Sequence, residues 1–133
     1  GRMASMNEDG NEKEVTAADQ ADINAFSRLN VQFHDLEDDL KLKKEELVNL
    51  QDCSNELLMI LDDEELVKVS VGETYVDLNQ DDAQSHVNNL VEETEKNVTE
   101  LETQITHVKE QMKELKARLS LKFGKSINLE EDE

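Results

Sequence analysis

VKVSVGETYVDL, residues Val67 to Leu78, is the stretch whose reading decides the fold. Val67, Val69 and Val71 alternate with Lys68 and Ser70, Gly72-Glu73 interrupts, and Thr74-Tyr75-Val76-Asp77-Leu78 resumes the pattern. Such alternation puts every second side chain on one face of a strand. Glycine supplies the positive φ that a tight hairpin turn requires. The segment therefore predicts one β-hairpin over about 66–78, set in a chain that otherwise reads almost entirely as charged helix.

On the N-terminal side the period changes. Thr16 is the expected cap, accepting from an early backbone N–H, and Asp19 at the third helical position suits the positive end of the helix dipole. Phe26, Leu29, Phe33, Leu36, Leu40, Leu47, Leu50, Leu57 and Leu61 then recur at steps of three and four, interrupted only by Lys43 and Ser54. A repeat of about 3.5 residues held over roughly five heptads is a coiled-coil seam. The acidic Asp62-Asp63-Glu64-Glu65 ends this helix, predicted over about 17–61.

On the C-terminal side Asn79, with Asp82 three residues on, gives a second helix start. Val87, Val91, Thr94, Val98, Leu101, Ile105, Val108, Met112, Leu115 and Leu119 repeat the same rhythm, and Gly124 can form a left-handed cap. This helix is predicted over about 80–122. If the hairpin reverses the chain, facing seam positions have numbers summing to about 145. Leu57 then faces Val87, Phe33 faces Met112, Phe26 faces Leu119, and Asp22 falls near Lys122. The predicted class is mainly α: a long antiparallel two-helix coiled coil, residues 15–124, with one β-hairpin between the helices. Residues 1–14 are expected to be a disordered tail that opens with a cloning remnant, and residues 125–133 an acidic C-terminal tail.

A lone two-stranded hairpin is marginal in water and leaves N–H and C=O groups unpaired along both edges. Its valines also lack an obvious cover from the same chain. Val67, Val69, Val71, Tyr75, Val76 and Leu78 are therefore the candidate assembly surface, pairing with strands of other chains. Each arm, roughly 40 residues and about 60 Å of helix, ends where the chain termini meet. Ile23, Phe26, Phe123, Ile127 and Leu129 lie there, at or beyond the last paired layer. Exposed apolar side chains at such a tip can grip non-native chains. The plainer reading is that they staple the helix ends.

Composition excludes several classes of function. The 133 residues carry 33 acidic and 14 basic side chains, a net charge of −19, so nucleic acid and anionic membrane surfaces are repelled. No apolar run approaches the roughly 18–20 residues that span a bilayer, and one cysteine, Cys53, gives no disulfide framework. These features suit the cytoplasm. Only three Phe, one Tyr and no Trp argue against a wide globular core.

These features together resemble prefoldin, a hexameric co-chaperone, and its β-type subunits in particular, which join two helices by a single hairpin. VTAADQADINAFSRLN near the start and KFGKSINLEEDE at the end are similar to the strings that begin and end the helices of one eukaryotic class of β-type subunit. The resemblance implies a heterohexamer of two α-type and four β-type subunits, whose hairpins form β-barrels. It implies capture of unfolded polypeptides, actin and tubulin above all, and delivery to the cytosolic chaperonin without nucleotide. Carried over by position, the two strands become the assembly surface and the five apolar residues at the helix ends the client-binding tip.

Other motifs give way to simpler explanations. Asp77, Asn79 and Asp81 have the spacing of the first ligands of a calcium loop, but Asp82 stands where the turn glycine belongs and Asn88 where the bidentate Glu belongs. Asn97-Val98-Thr99 has the form of a glycosylation acceptor but lies mid-helix with Val98 in the seam. His34, His86 and His107 are too far apart to pair as ligands, so no metal or other cofactor is expected. Cys53 beside the seam is expected to be packed or half-exposed, with no base to activate it. No catalytic site is expected. The rival to a chaperone subunit is a coiled-coil scaffold or tether that joins a fixed complex and holds no client.

Overall fold

A computed structural model describes residues 14–60, 65–124 and 129. Along the chain run α1 (Ala17–Leu58), β1 (Val67–Val71), β2 (Thr74–Leu78) and α2 (Gln80–Phe123). The strands form one antiparallel sheet with Val67 opposite Leu78, Val69 opposite Val76 and Val71 opposite Thr74. Gly72 takes φ 63° at their turn, the left-handed conformation that the turn demands of glycine.

The caps follow from local chemistry. Thr16 Oγ1 accepts from the Asp19 N–H at 3.1 Å while Asp19 Oδ2 accepts from the Thr16 N–H at 3.0 Å, a reciprocal capping box. Asn79 Oδ1 accepts from the Asp82 N–H at 2.8 Å, which explains the Asn-x-x-Asp string as a helix start. Gly124, at φ 61°, closes α2, with Lys122 in its last turn favourable to the dipole.

Seam positions behave as their spacing predicts. Phe26, Phe33, Leu36 and Leu57 of α1 are buried, as are Val87, Thr94, Val98, Ile105, Val108, Met112, Leu115 and Leu119 of α2. Leu29, Leu40, Leu47 and Leu50 are half-buried. So is Lys43, whose ammonium reaches back to Glu46 at 3.1 Å while its stem lies along the seam. Cys53 is exposed, contrary to the expected packing, because the seam leaves it on the outer flank.

The chain divides into two compact units. In Gly1–Asp38 with Glu102–Glu133, the start of α1 runs against the end of α2. Arg118 Nη2 donates to Asp22 Oδ1 at 3.0 Å and Lys122 Nζ donates to Asp19 Oδ2. In Asp39–Leu101, the end of α1 runs against the start of α2: Gln84 Nε2 donates to Ser54 Oγ at 2.7 Å and Gln80 Nε2 to the Leu57 carbonyl at 2.6 Å. Both pairings are antiparallel. Ser54, the polar break in the seam, is thus satisfied by a glutamine from the facing helix. Leu57 and Val87 share one cluster, as the facing rule predicts. Asp22, however, takes Arg118 rather than Lys122, because long basic side chains reach diagonally along the helix and Lys122 is held by Asp19.

Candidate functional site

In the unit Asp39–Leu101 the hairpin registers place Val67, Val69, Val71, Thr74, Val76 and Leu78 on one face, and Lys68, Ser70, Tyr75 and Asp77 on the other. The valine face is not bare. Val67, Val69 and Leu78 pack on the cluster of Leu57, Ala83 and Val87, with Ile60 and Val91 alongside. This corrects the expectation that the chain leaves its valines uncovered. The helix ends next to the strands bring the last apolar layer of the seam under the base of the hairpin.

The cover stops short of the turn. Val71 and Val76 are exposed, and Tyr75, on the opposite face, is 73% exposed. Sequence reasoning missed three further residues of this unit. Leu58, Met59 and Leu66 are all exposed, Met59 at 77%. A signal for them exists: Leu57-Leu58-Met59-Ile60 is an unbroken apolar run, and a narrow seam can absorb only part of it. Among the described residues, six large apolar side chains are thus open to water in and beside a hairpin whose strands pair only with each other. That is the signature of an unfinished core.

The unit Gly1–Asp38 with Glu102–Glu133 differs from expectation. Phe26 is 1% exposed and Phe123 2%, so neither stands open as the tip reading requires. Leu119 and Phe123 form a buried cluster with Val15, and Ile23 and Leu129 pack against it half-buried. Ile127 lies outside the described residues. The reason lies just ahead of the cap. Val15 precedes Thr16, and its side chain turns onto the end of α2 rather than into solvent. Among the described residues of this helix end Leu121 is exposed, at 86%; two residues past the seam position Leu119, it faces away from α1.

Charge reinforces this closure. The Lys122 ammonium bonded to Asp19 is the main reason the Asp19 carboxyl titrates below the ordinary aspartate value. The Thr16 N–H lowers it further, burial opposes this less strongly, and the Thr16 hydroxyl adds a smaller lowering. Lys122 Nζ also lies 5.3 Å from the centre of the Phe123 ring, and Lys109 Nζ 5.5 Å from that of Phe33. The Arg118–Asp22 pair is more open and adds little stability.

Among the described residues no group of three or more His, Cys, Asp or Glu side chains is placed to hold a metal ion. No helix among them is long and apolar enough to cross a membrane. What the arrangement offers is surface and shape for binding other chains.

Comparison with known proteins agrees with the architecture. The family model described as "Prefoldin subunit" matches residues 20–126. The chain is 40% identical over 120 residues to a probable prefoldin subunit 4 of Dictyostelium discoideum, covering 90% of each. It is 32% identical over 123 residues to prefoldin subunit 4 of Homo sapiens, covering 90% of this chain and 89% of that one. The fold matches the crystal structure of the prefoldin beta subunit from Thermococcus strain KS-1 with a TM-score of 0.71 at 21% identity, over 83% of this chain and 96% of that one. The two helices, the single hairpin and this breadth of sequence identity lead to one conclusion: the chain belongs to the prefoldin subunit family, in the class named prefoldin subunit 4.

Proposed function

We propose that this chain is one of four β-type subunits in a heterohexamer completed by two α-type and three other β-type subunits. In it the chain holds unfolded polypeptides of the actin and tubulin class in the cytoplasm and passes them, without nucleotide, to the cytosolic chaperonin. The observation that carries the assembly part is the unfinished hairpin core. β1 and β2 have no further strand neighbour among the described residues, and Val71, Tyr75 and Val76 stand exposed with Leu58, Met59 and Leu66. Pairing those edges with strands of other subunits satisfies the free backbone groups and buries the side chains together.

The burial of Phe26 and Phe123 favours the scaffold reading, since a covered tip offers no grip. One experiment separates the two. The complex is isolated from extracts of the organism's own cells, its native mass and subunits are determined, and it is mixed with urea-denatured actin without ATP. A six-chain complex that suppresses actin aggregation and hands it to the chaperonin supports the chaperone. A six-chain complex with no effect on aggregation leaves the scaffold.

A further inference from the structure

The largest fully buried side chains among the described residues are Phe26, Leu119 and Val15. Phe26 and Leu119 are seam residues and owe their burial to the heptad. Val15 does not. It precedes the cap Thr16, lies outside α1, and belongs to no apolar period, yet it is 0% exposed against Leu119 and Phe123. Its backbone makes an isolated β-bridge, so the residue is presented in extended form.

Its seat is made by α2, from Leu119 and Phe123, with Ile23 of α1 and Leu129 packed alongside. Leaving the seat breaks no helical hydrogen bond of α1, because the ladder begins with the Gln20 N–H donating to the Thr16 carbonyl at 2.9 Å, one residue further on. Val15 itself is held by its β-bridge and by apolar contact in its cluster, and the chain just beyond it by the box between Thr16 and Asp19 and by Lys122 bonded to Asp19, so what its departure costs lies outside the helical ladders. The seat can therefore empty while both helices persist.

We propose that this seat is a binding site for one aliphatic side chain of an extended polypeptide, and that Val15 occupies it when no client is present. The proposal rests on the client-holding reading above and adds its regulation: capture at this helix end is a displacement of Val15. The ligand class follows from the occupant, an extended segment offering a β-branched or similarly sized apolar side chain.

The test uses the assembled complex with Val15→Ser or Val15→Ile in this subunit and labelled, urea-denatured actin as probe. Serine is a poor occupant, so Val15→Ser strengthens capture several-fold, up to about tenfold given the apolar area Val15 buries. Isoleucine keeps the seat filled, so Val15→Ile captures as wild type or more weakly. Native mass and hydrogen exchange at the Asp19 amide show that assembly and the start of α1 are retained. If that amide loses protection, deletion of residues 1–15, which leaves the Thr16 cap, repeats the test with the same expected gain. Unchanged or weakened capture by Val15→Ser with α1 intact overturns the proposal while leaving client holding in place. If neither wild type nor Val15→Ser captures actin, client holding itself fails and the displacement with it. Capture by Val15→Ser alone supports both.

Discussion

The two units are built from the same heptad material and end in different states. In Gly1–Asp38 with Glu102–Glu133 a residue from outside the helices closes the last layer, and Phe26, Leu119 and Phe123 are nearly inaccessible. In Asp39–Leu101 the last layer, Leu57, Ala83 and Val87, covers the base of the hairpin and then runs out. Leu58, Met59, Leu66, Val71, Tyr75 and Val76 remain exposed. On the proposed function, that open apolar surface is the part of the core that other chains complete. A surface already closed by its own chain must be opened before it can serve.

The largest expected effect separates these states by where it is measured. Phe26→Ala empties a closed core and is expected to cost the isolated chain about 3–5 kcal/mol in denaturant unfolding. Leu58→Ser changes a side chain that the isolated chain leaves in water, so its cost there stays within about 0.5 kcal/mol. In the complex the difference appears elsewhere. A buried leucine contributes about 1.5–3 kcal/mol, so Leu58→Ser is expected to loosen the subunit's hold at least about tenfold in an exchange assay. If Leu58→Ser destabilises the isolated chain as Phe26→Ala does, the two units are not in different states and the comparison breaks.

A smaller effect follows from the charge at the closed layer. The Asp19 carboxyl titrates below its ordinary value because Lys122 and Thr16 hold it as the anion. A carboxyl lowered on folding contributes stability that is present above its unfolded value and lost as pH falls through its folded value. Wild type should therefore lose stability in that acidic window, and Asp19→Asn should lose less across it while starting lower at neutral pH. Thermal unfolding from neutral to acid pH checks this. Equal slopes for the two proteins would mean that the Lys122 contact does not persist in solution.

How much of this was legible in the sequence depends on the range of the interactions. The seam was legible because a repeat of three and four is local, and a side chain such as Ile105 or Val108 cannot leave the facing helix without breaking that rhythm. The caps at Thr16 and Asn79 and the turn at Gly72 were legible for the same reason, each resting on residues within three or four positions. The covered valines and the closed cluster were not. Val67 packs on the cluster that holds Ala83, and Val15 joins Phe123, through contacts that no window of sequence contains. Val15 is the first residue of the predicted coiled-coil unit, but it stands before the cap and outside the heptad series, so its spacing carries no sign of burial. Leu121 was passed over because it falls outside the seam, and exposure of an off-seam leucine is decided by geometry rather than by spacing.

The smallest effect isolates conformation from contact. Gly72 and Gly124 both take left-handed φ, 63° and 61°, and a Cβ added at either meets no atom within 4 Å. Alanine at each position therefore carries backbone strain alone, about 1–2 kcal/mol. The same strain should be spent differently. At Gly72 it falls on a ladder that, among the described residues, has no third strand to brace it, so amide exchange should quicken along the whole of β1 and β2. At Gly124 it falls after the last turn of a helix whose neighbouring layer is already closed, so exchange should quicken only in the residues nearest the cap. Fraying that spread from Gly124→Ala as far as Leu115 would show that the closed layer depends on the cap. Fraying confined to the last turn would show that packing around Leu119 and Phe123 holds the helix end by itself.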